Sequence, residues 1–174
     1  MKNKKLIAMT ESAVMAALSL ILNFIIVFKM PQGGSITLGA MVPIMVVALR
    51  RGPGWGILTG VLSGLLQFIT TGQAAHPLSI LLDYLLAYGI LGIAGCFKGS
   101  LPKITLGMTL AIFLRLVSHV LCGATVFASY APEGQNPWAY SIGYNASYMV
   151  PEWIITTVIT VLLYKYAKRV FQVD

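Results

Sequence analysis

Asp83, Arg115, His119, Asn145 and Glu152, side chains that ionise or bond strongly, sit inside otherwise apolar runs of this 174-residue chain. In hydrocarbon each of them needs a partner, a cavity or a ligand. Arg115, His119 and Gly123 recur every fourth residue and so share one helical face, with Gly123 leaving room beside His119. Ser141, Asn145, Tyr148 and Glu152 follow an i, i+4, i+7, i+11 pattern, a polar stripe along one side of another helix, flanked by Tyr140 and Tyr144. Pointed at lipid such a stripe would be unstable, so it faces the interior of a bundle. Carboxylates, tyrosines, a histidine and an asparagine in apolar surroundings suit a small, flat solute with ring nitrogens or positive charge, held by a carboxylate and by aromatic faces. Asp83 is the carboxylate best placed for that task.

The elements that position these groups follow from composition. Hydrophobic residues make up 57% of the chain and charged residues 10%, against about 25% charged in soluble domains, and the mean hydropathy is +0.83. That is too little charge to cover a water-soluble domain, so the apolar excess faces lipid. A bilayer core is crossed by about 20 apolar helical residues, and the candidate runs are 7–28, 36–49, 54–71, 78–97, 104–127 and 138–164. The expectation is an all-α integral membrane protein, one transmembrane substrate-binding domain over 1–174 built as a six-helix bundle. The second run is short and holds Pro43, so it is broken, tilted or extended back through Gly33 and Gly34. The basic start resembles a secretory signal, but Glu11 and Ser12 interrupt the following run and no A-x-A-like site closes it, which favours a retained first helix.

The net charge of +7 is a topology signal. Lys2, Lys4, Lys5, Arg50, Arg51, Lys98, Lys103, Lys165, Lys168 and Arg169 fall on one side, ten of the twelve bases, leaving Lys29 outside and Arg115 within a span. The positive-inside rule then puts both termini in the cytoplasm. No nucleic-acid partner is needed to explain the charge. Cys96 and Cys122 lie in apolar runs with no C-x-x-C or Cys/His cluster, so no metal or disulfide framework is expected. No G-x-x-x-x-G-K-[ST], H-E-x-x-H or G-x-S-x-G is present, so the expectation is a protein that is not an enzyme, binds no cofactor, and draws any transport energy from elsewhere.

Counting helical rise inward from each end, Asp83, His119, Tyr140 and Asn145 fall in one layer near the outer surface, with Arg115 a turn deeper. Arg115 and Glu152 fall at comparable depth and are candidates for a buried ion pair under the pocket. Two outer loops add to the layer: 72–77, with Gln73 and His76 above Asp83, and 128–137, a candidate lid with Tyr130 and Glu133. Gly56, Gly60 and Gly64 give the third span a smooth face for a close neighbour, and Ala13 and Ala17 make a similar small-residue pair on the first. An alternative reading is a solitary proton-coupled carrier of a small cationic or aromatic solute, with Asp83, His119 and Glu152 as a relay.

Several stretches taken together resemble a known family: Met30-Pro-Gln-Gly-Gly-Ser, Leu49-Arg-Arg-Gly, His76-Pro, Leu82-Asp-Tyr-Leu, Arg115-x-x-x-His119 with Gly123, and Tyr140-Ser-x-x-Tyr-Asn145. In order and over nearly the whole chain they are similar to the ThiT group, the thiamine-specific substrate-binding (S) components of energy-coupling-factor transporters. The resemblance implies a thiamine site near the outer face and partnership with a transmembrane scaffold subunit and two cytoplasmic ATPases. It implies that Asp83 matches the acidic residue that binds the aminopyrimidine, followed by Tyr84 of the acidic-Tyr pair. His119, Gly123, Tyr140 and Asn145 match pocket positions, Phe127 and the tyrosines, Tyr144 among them, supply ring faces, and Ala13 and Ala17 match the alanine motif that docks on the scaffold. Some members carry Glu at the Asp83 position, Trp at Phe127, and Trp and Glu at Gly34 and Leu38. The shorter Asp83 must then come closer to its ligand or act through a water.

Overall fold

The computed structural model describes residues 3–71 and 76–172. Helix α1 (Lys4–Asn23) starts at Asn3, whose side chain accepts the Leu6 N–H and so satisfies one of the unpaired donors of the first turn. It buries Ala8, Ser12, Ala16 and Ser19 and leaves Ala13 and Ala17 exposed. The helix stops well before the apolar run does. Strand β1 (Ile26–Lys29) pairs antiparallel with β2 (Ser35–Thr37), which corrects the expectation of one helix over 7–28. β-Branched Ile26 and Val27 favour the extended chain, and the reversal is made where Met30 N–H donates to the Gly34 carbonyl (2.7 Å) with Gly33 at φ 96°.

The expected second span is split as well. After β2 the chain turns at Gly39 (φ 82°) and enters a ten-residue helix, α2 (Val42–Arg51), with Pro43 in the first turn, where its missing N–H costs no helical bond. Although too short to cross a bilayer, α2 is buried almost throughout, with Ile44, Met45 and Val47 at the centre of the core beside Leu91, Met108 and Met149. The remaining helices are α3 (Pro53–Thr71), α4 (Pro77–Cys96), α5 (Leu101–Thr125) and α6 (Pro137–Tyr166). With α1 these make, among the described residues, five helices long and apolar enough to span a membrane. The sixth member is α2, so the bundle is an all-α membrane fold with a hairpin inserted between its first two helices. Leu106 and Phe113 on α5 and Ile142 and Ile154 on α6 point outward, as lipid-facing residues do.

Helix α4 is not regular. Ile80–Leu86 is wound as a π-helix and Ile90–Cys96 as a 3-10 helix. Its back is pressed on α3 at the glycines the sequence singles out: a Cβ on Gly60 would strike the Tyr88 carbonyl, and one on Gly64 the Tyr84 carbonyl. Gly92 of α4 meets the backbone of Gly56 and Ile57 in the same way. The helices touch backbone to backbone, so α4 cannot recede from the bundle interior.

The basic groups at 50, 51 and 98 gather at one end with the C-terminal segment. Arg50 Nη1 donates to the Val170 carbonyl (3.2 Å) and Lys98 Nζ to the Arg50 carbonyl (3.3 Å). Glu11 of α1 reaches the same cluster, paired with Arg50 Nε at 3.2 Å and accepting from Arg51 Nε at 2.9 Å. The acid that interrupts the first apolar run is therefore a tie between α1 and α2.

Candidate ligand-binding site

At the opposite end, α3 to α6, the hairpin and the end of α1 enclose a cavity of about 820 Å³, within the roughly 300–1,000 Å³ of small-molecule sites. Asp83, Tyr84, His119, Gly123, Phe127 and Tyr140 line it, and so do Tyr144, Asn145, Arg115, Tyr148 and Glu152. Each residue of the expected site reaches the same space. The π-turn explains part of this: where the chain bonds i to i+5, Asp83 and Tyr88 come onto one side together, and both enter the cavity.

The wall formed by α3, α4 and α5 is a continuous set of bonds. His119 Nδ1 lies 2.8 Å from Asp83 Oδ1, and Arg115 Nε donates to His119 Nε2 at 3.3 Å. A single tautomer satisfies both: with its proton on Nδ1, the ring donates to the carboxylate and accepts from the guanidinium. The guanidinium lies over the Tyr88 ring, 3.9 Å from its centroid, and Tyr88 Oη donates to Gln67 Oε1 on α3. Asp83 is thus fixed from one side, and a carboxylate has further lone pairs for a ligand.

On α6 the polar stripe is buried as expected and bonded along its length. Ser141 Oγ donates to the Val120 carbonyl (2.9 Å), Asn145 Nδ2 to the Ser141 carbonyl (2.8 Å), and Tyr148 Oη to Asn145 Oδ1 (2.7 Å). Below them Glu152 Oε1 accepts both the backbone N–H of Thr37 and its hydroxyl, the latter at 2.6 Å. Tyr144 Oη accepts the N–H groups of Gln32 and Gly34, each at 3.2 Å. These two contacts fasten the hairpin to α6. Aromatic faces complete the lining: Tyr140 stacks on Tyr144 (centroids 6.0 Å apart) and Phe127 on Tyr130 (5.4 Å), while Tyr84 meets Phe68 edge-on at 5.5 Å.

Several expectations need correction. Arg115 and Glu152 form no ion pair: the arginine is turned to His119 and Tyr88 and the glutamate to Thr37, because equal depth on two helices does not fix which way each side chain points. Glu152 is also not bonded to Asp83 or His119, so the three do not make the continuous relay of the carrier reading. Gly123 makes room not for His119 but for Ser141 and Asn145 of α6, which a Cβ there would meet. Of the two outer loops, 128–137 contributes Tyr130 but not Glu133 to the cavity wall. His76 is outside the wall and instead caps α4, its Nδ1 accepting the Leu78 N–H (3.1 Å), and Gln73 lies outside the described residues. Gly34 has no room for a larger residue, since a Cβ would lie 2.7 Å from the Tyr148 ring, and Leu38 is exposed and not part of the wall. Sequence reasoning missed Gln67, Tyr88 and Thr37. For Gln67 a signal existed, an amide in the apolar third span; for Tyr88, five residues from Asp83, helical periodicity gives none.

Known proteins are similar to this chain over nearly its full length. The family described as Thiamine transporter protein (Thia_YuaJ) matches residues 9–172. The thiamine transporter ThiT of Bacillus subtilis (strain 168) is 39% identical, covering 99% of this chain and 98% of that protein. ThiT of Lacticaseibacillus paracasei is 27% identical over 98% of this chain and 92% of its own length. A solved structure of ThiT from Listeria monocytogenes superposes with a TM-score of 0.84 at 27% identity, covering 98% of this chain and all of that one. With a bundle of apolar helices around a ligand-sized cavity, and matched from end to end in this way, the chain belongs to the thiamine transporter protein family, multi-pass proteins of the cell membrane rather than enzymes.

Proposed function

We propose that the chain captures thiamine in this cavity and serves as the substrate-binding component of an energy-coupling-factor importer, with the cavity opening outward and both termini in the cytoplasm. The observation that carries the reading is the Asp83 carboxylate, held by His119 on an aromatic-walled cavity of sufficient size. The amino group of the aminopyrimidine donates to Asp83. Phe127, Tyr84, Tyr140 and Tyr144 offer ring faces to the two heterocycles, and a positively charged thiazolium over such faces is attracted electrostatically. His119 and Asn145 add polar contacts, Gly123 gives space, and Arg115, Tyr148 and Glu152 hold the wall and the hairpin. Isothermal titration of the purified chain in detergent tests this. Thiamine binds at micromolar concentration, and Asp83→Asn weakens it by roughly 10- to 100-fold, the range for losing a charge-assisted hydrogen bond. Absence of heat with the wild type, or unchanged affinity in Asp83→Asn, overturns the assignment.

Transport in this reading is driven by two ATPase subunits acting through a membrane scaffold. Support comes from α1, which turns Ala8, Ser12, Ala16 and Ser19 inward and leaves the Ala13 and Ala17 face open to a helix at close range. Ala13→Trp therefore abolishes co-purification with the scaffold subunit while thiamine titration is unaffected; co-purification at wild-type yield would refute the docking role.

A further inference from the structure

What Asp83 can offer a solute depends on the ring behind it. Asp83 Oδ1 lies 2.8 Å from His119 Nδ1, and the Asp83 side chain keeps 22% of its surface accessible against 10% for His119, so the carboxylate is the group a solute reaches. An imidazole can carry its proton on either nitrogen. With the proton on Nδ1 the ring donates to Asp83. With the proton on Nε2, a lone pair on Nδ1 faces the carboxylate and turns one of the two aside. With both nitrogens protonated, the ring is a cation that competes with a positively charged solute for the same carboxylate.

The far side of the ring selects among these forms. Arg115 Nε lies 3.3 Å from His119 Nε2, and a guanidinium has donors and no acceptor, so the nitrogen that faces it is the one with the lone pair. Arg115 and His119 are four residues apart on α5 and share a face, but a side chain as long as arginine's has other conformations open to it. The Tyr88 ring removes them. The guanidinium lies 3.9 Å from its centroid, where a cation is attracted to the ring face. Tyr88 is in turn held at both ends, its hydroxyl donating to Gln67 Oε1 and its carbonyl seated where Gly60 leaves room. We infer that Arg115 and Tyr88 are positioning residues for solute binding: Tyr88 holds the guanidinium, the guanidinium holds His119 in its Nδ1–H form, and that form orients Asp83 toward an amino group of the solute. Only the last step rests on the thiamine reading.

Nuclear magnetic resonance of the full chain in detergent, with nitrogen-15 in its histidines, reads the tautomer without any ligand; the His119 signals are those absent from His119→Ala. Near neutral pH the wild type shows the proton on Nδ1 alone. Arg115→Met, which keeps bulk and removes donor and charge together, loses that form to Nε2–H or to imidazolium. Tyr88→Leu does the same, and Tyr88→Phe, which keeps the ring, restores it. Titration then reads the consequence. Arg115→Met loses about tenfold in thiamine affinity, the size of one misdirected hydrogen bond. In a His119→Ala background the same substitution costs less than about twofold, because it acts only through the ring. It costs as little for an analogue with hydrogen in place of the pyrimidine amino group, which has nothing to give Asp83. A general loosening of the wall would weaken both ligands in both backgrounds alike, and that result overturns the inference. An unchanged His119 tautomer or an unchanged thiamine affinity in Arg115→Met overturns it as well. If the wild type itself fails to bind thiamine, the proposed function falls, and the tautomer measurement still decides whether Arg115 and Tyr88 set the ring.

Discussion

The two faces of α4 do opposite things with the same residues. Toward α3, Tyr84 and Tyr88 present their carbonyls to Gly64 and Gly60, where the two backbones meet directly. Toward the bundle interior the same tyrosines present their rings to the cavity, beside Asp83. One contact is closed by leaving side chains out and the other is open because side chains line it. The difference shows how a site inside lipid is made rigid. A helix with no room behind it cannot retreat when a ligand presses on its front, so the carboxylate is preorganised by backbone packing as much as by its bond to His119.

The strongest way to break that comparison is to put a side chain on the closed face. In Gly60→Val the new Cβ meets the Tyr88 carbonyl group and lies 3.1 Å from the Gly89 Cα, and neither is a flexible group that can turn aside. Overpacking of this kind costs about 1–3 kcal/mol and sometimes more, and for a chain of this size about 5 °C or more in the melting temperature. Thermal unfolding in detergent measures it, with Leu58→Val as the control on the exposed side of the same helix, where little change is expected. Equal midpoints for Gly60→Val and the control would show that α4 can recede after all.

What the sequence made legible follows the same division. Long apolar runs mark the spans because only helices satisfy their backbone in hydrocarbon, and glycines at four-residue spacing mark the closed face. The stripe from Ser141 to Glu152 was readable because burial in a membrane inverts the usual sign: polar residues point in. The hairpin was not readable by period, since a continuous apolar run fits helix and strand equally. Its signal was local, β-branched Ile26 and Val27 followed by the Pro31–Gly34 turn. The partners of Arg115 were hidden for another reason. Rise per residue gives depth along a helix, but the π-turn in α4 changes the angle at which Tyr88 emerges, and a straight-helix count cannot foresee that.

The cavity lining across from α4 gives a smaller and more specific test, at a glycine that seats a side chain rather than a backbone. Gly123 on α5 leaves the space that Ser141 fills; a Cβ there would collide with Ser141 Oγ and lie 3.3 Å from Asn145 Nδ2. A serine hydroxyl can rotate, so Gly123→Ala is tolerated where Gly60→Val is not, and the gain in helix propensity of about 1 kcal/mol offsets much of the strain. Rotation has a consequence for the site, however. Ser141 Oγ gives up the Val120 carbonyl and its contact with Asn145 Nδ2 at 3.1 Å, and Asn145 in turn holds the Tyr148 hydroxyl. Gly123→Ala should therefore keep its melting temperature within a few degrees of the wild type and lose several-fold in thiamine affinity by titration, on the order of one hydrogen bond. Adding Ser141→Gly empties the space the new methyl needs, so the double variant should be less impaired than the sum of the two single changes, as expected of residues in contact. Strict additivity would mean that the two helices move apart as a whole, and the open face would then be as soft as the closed one is stiff.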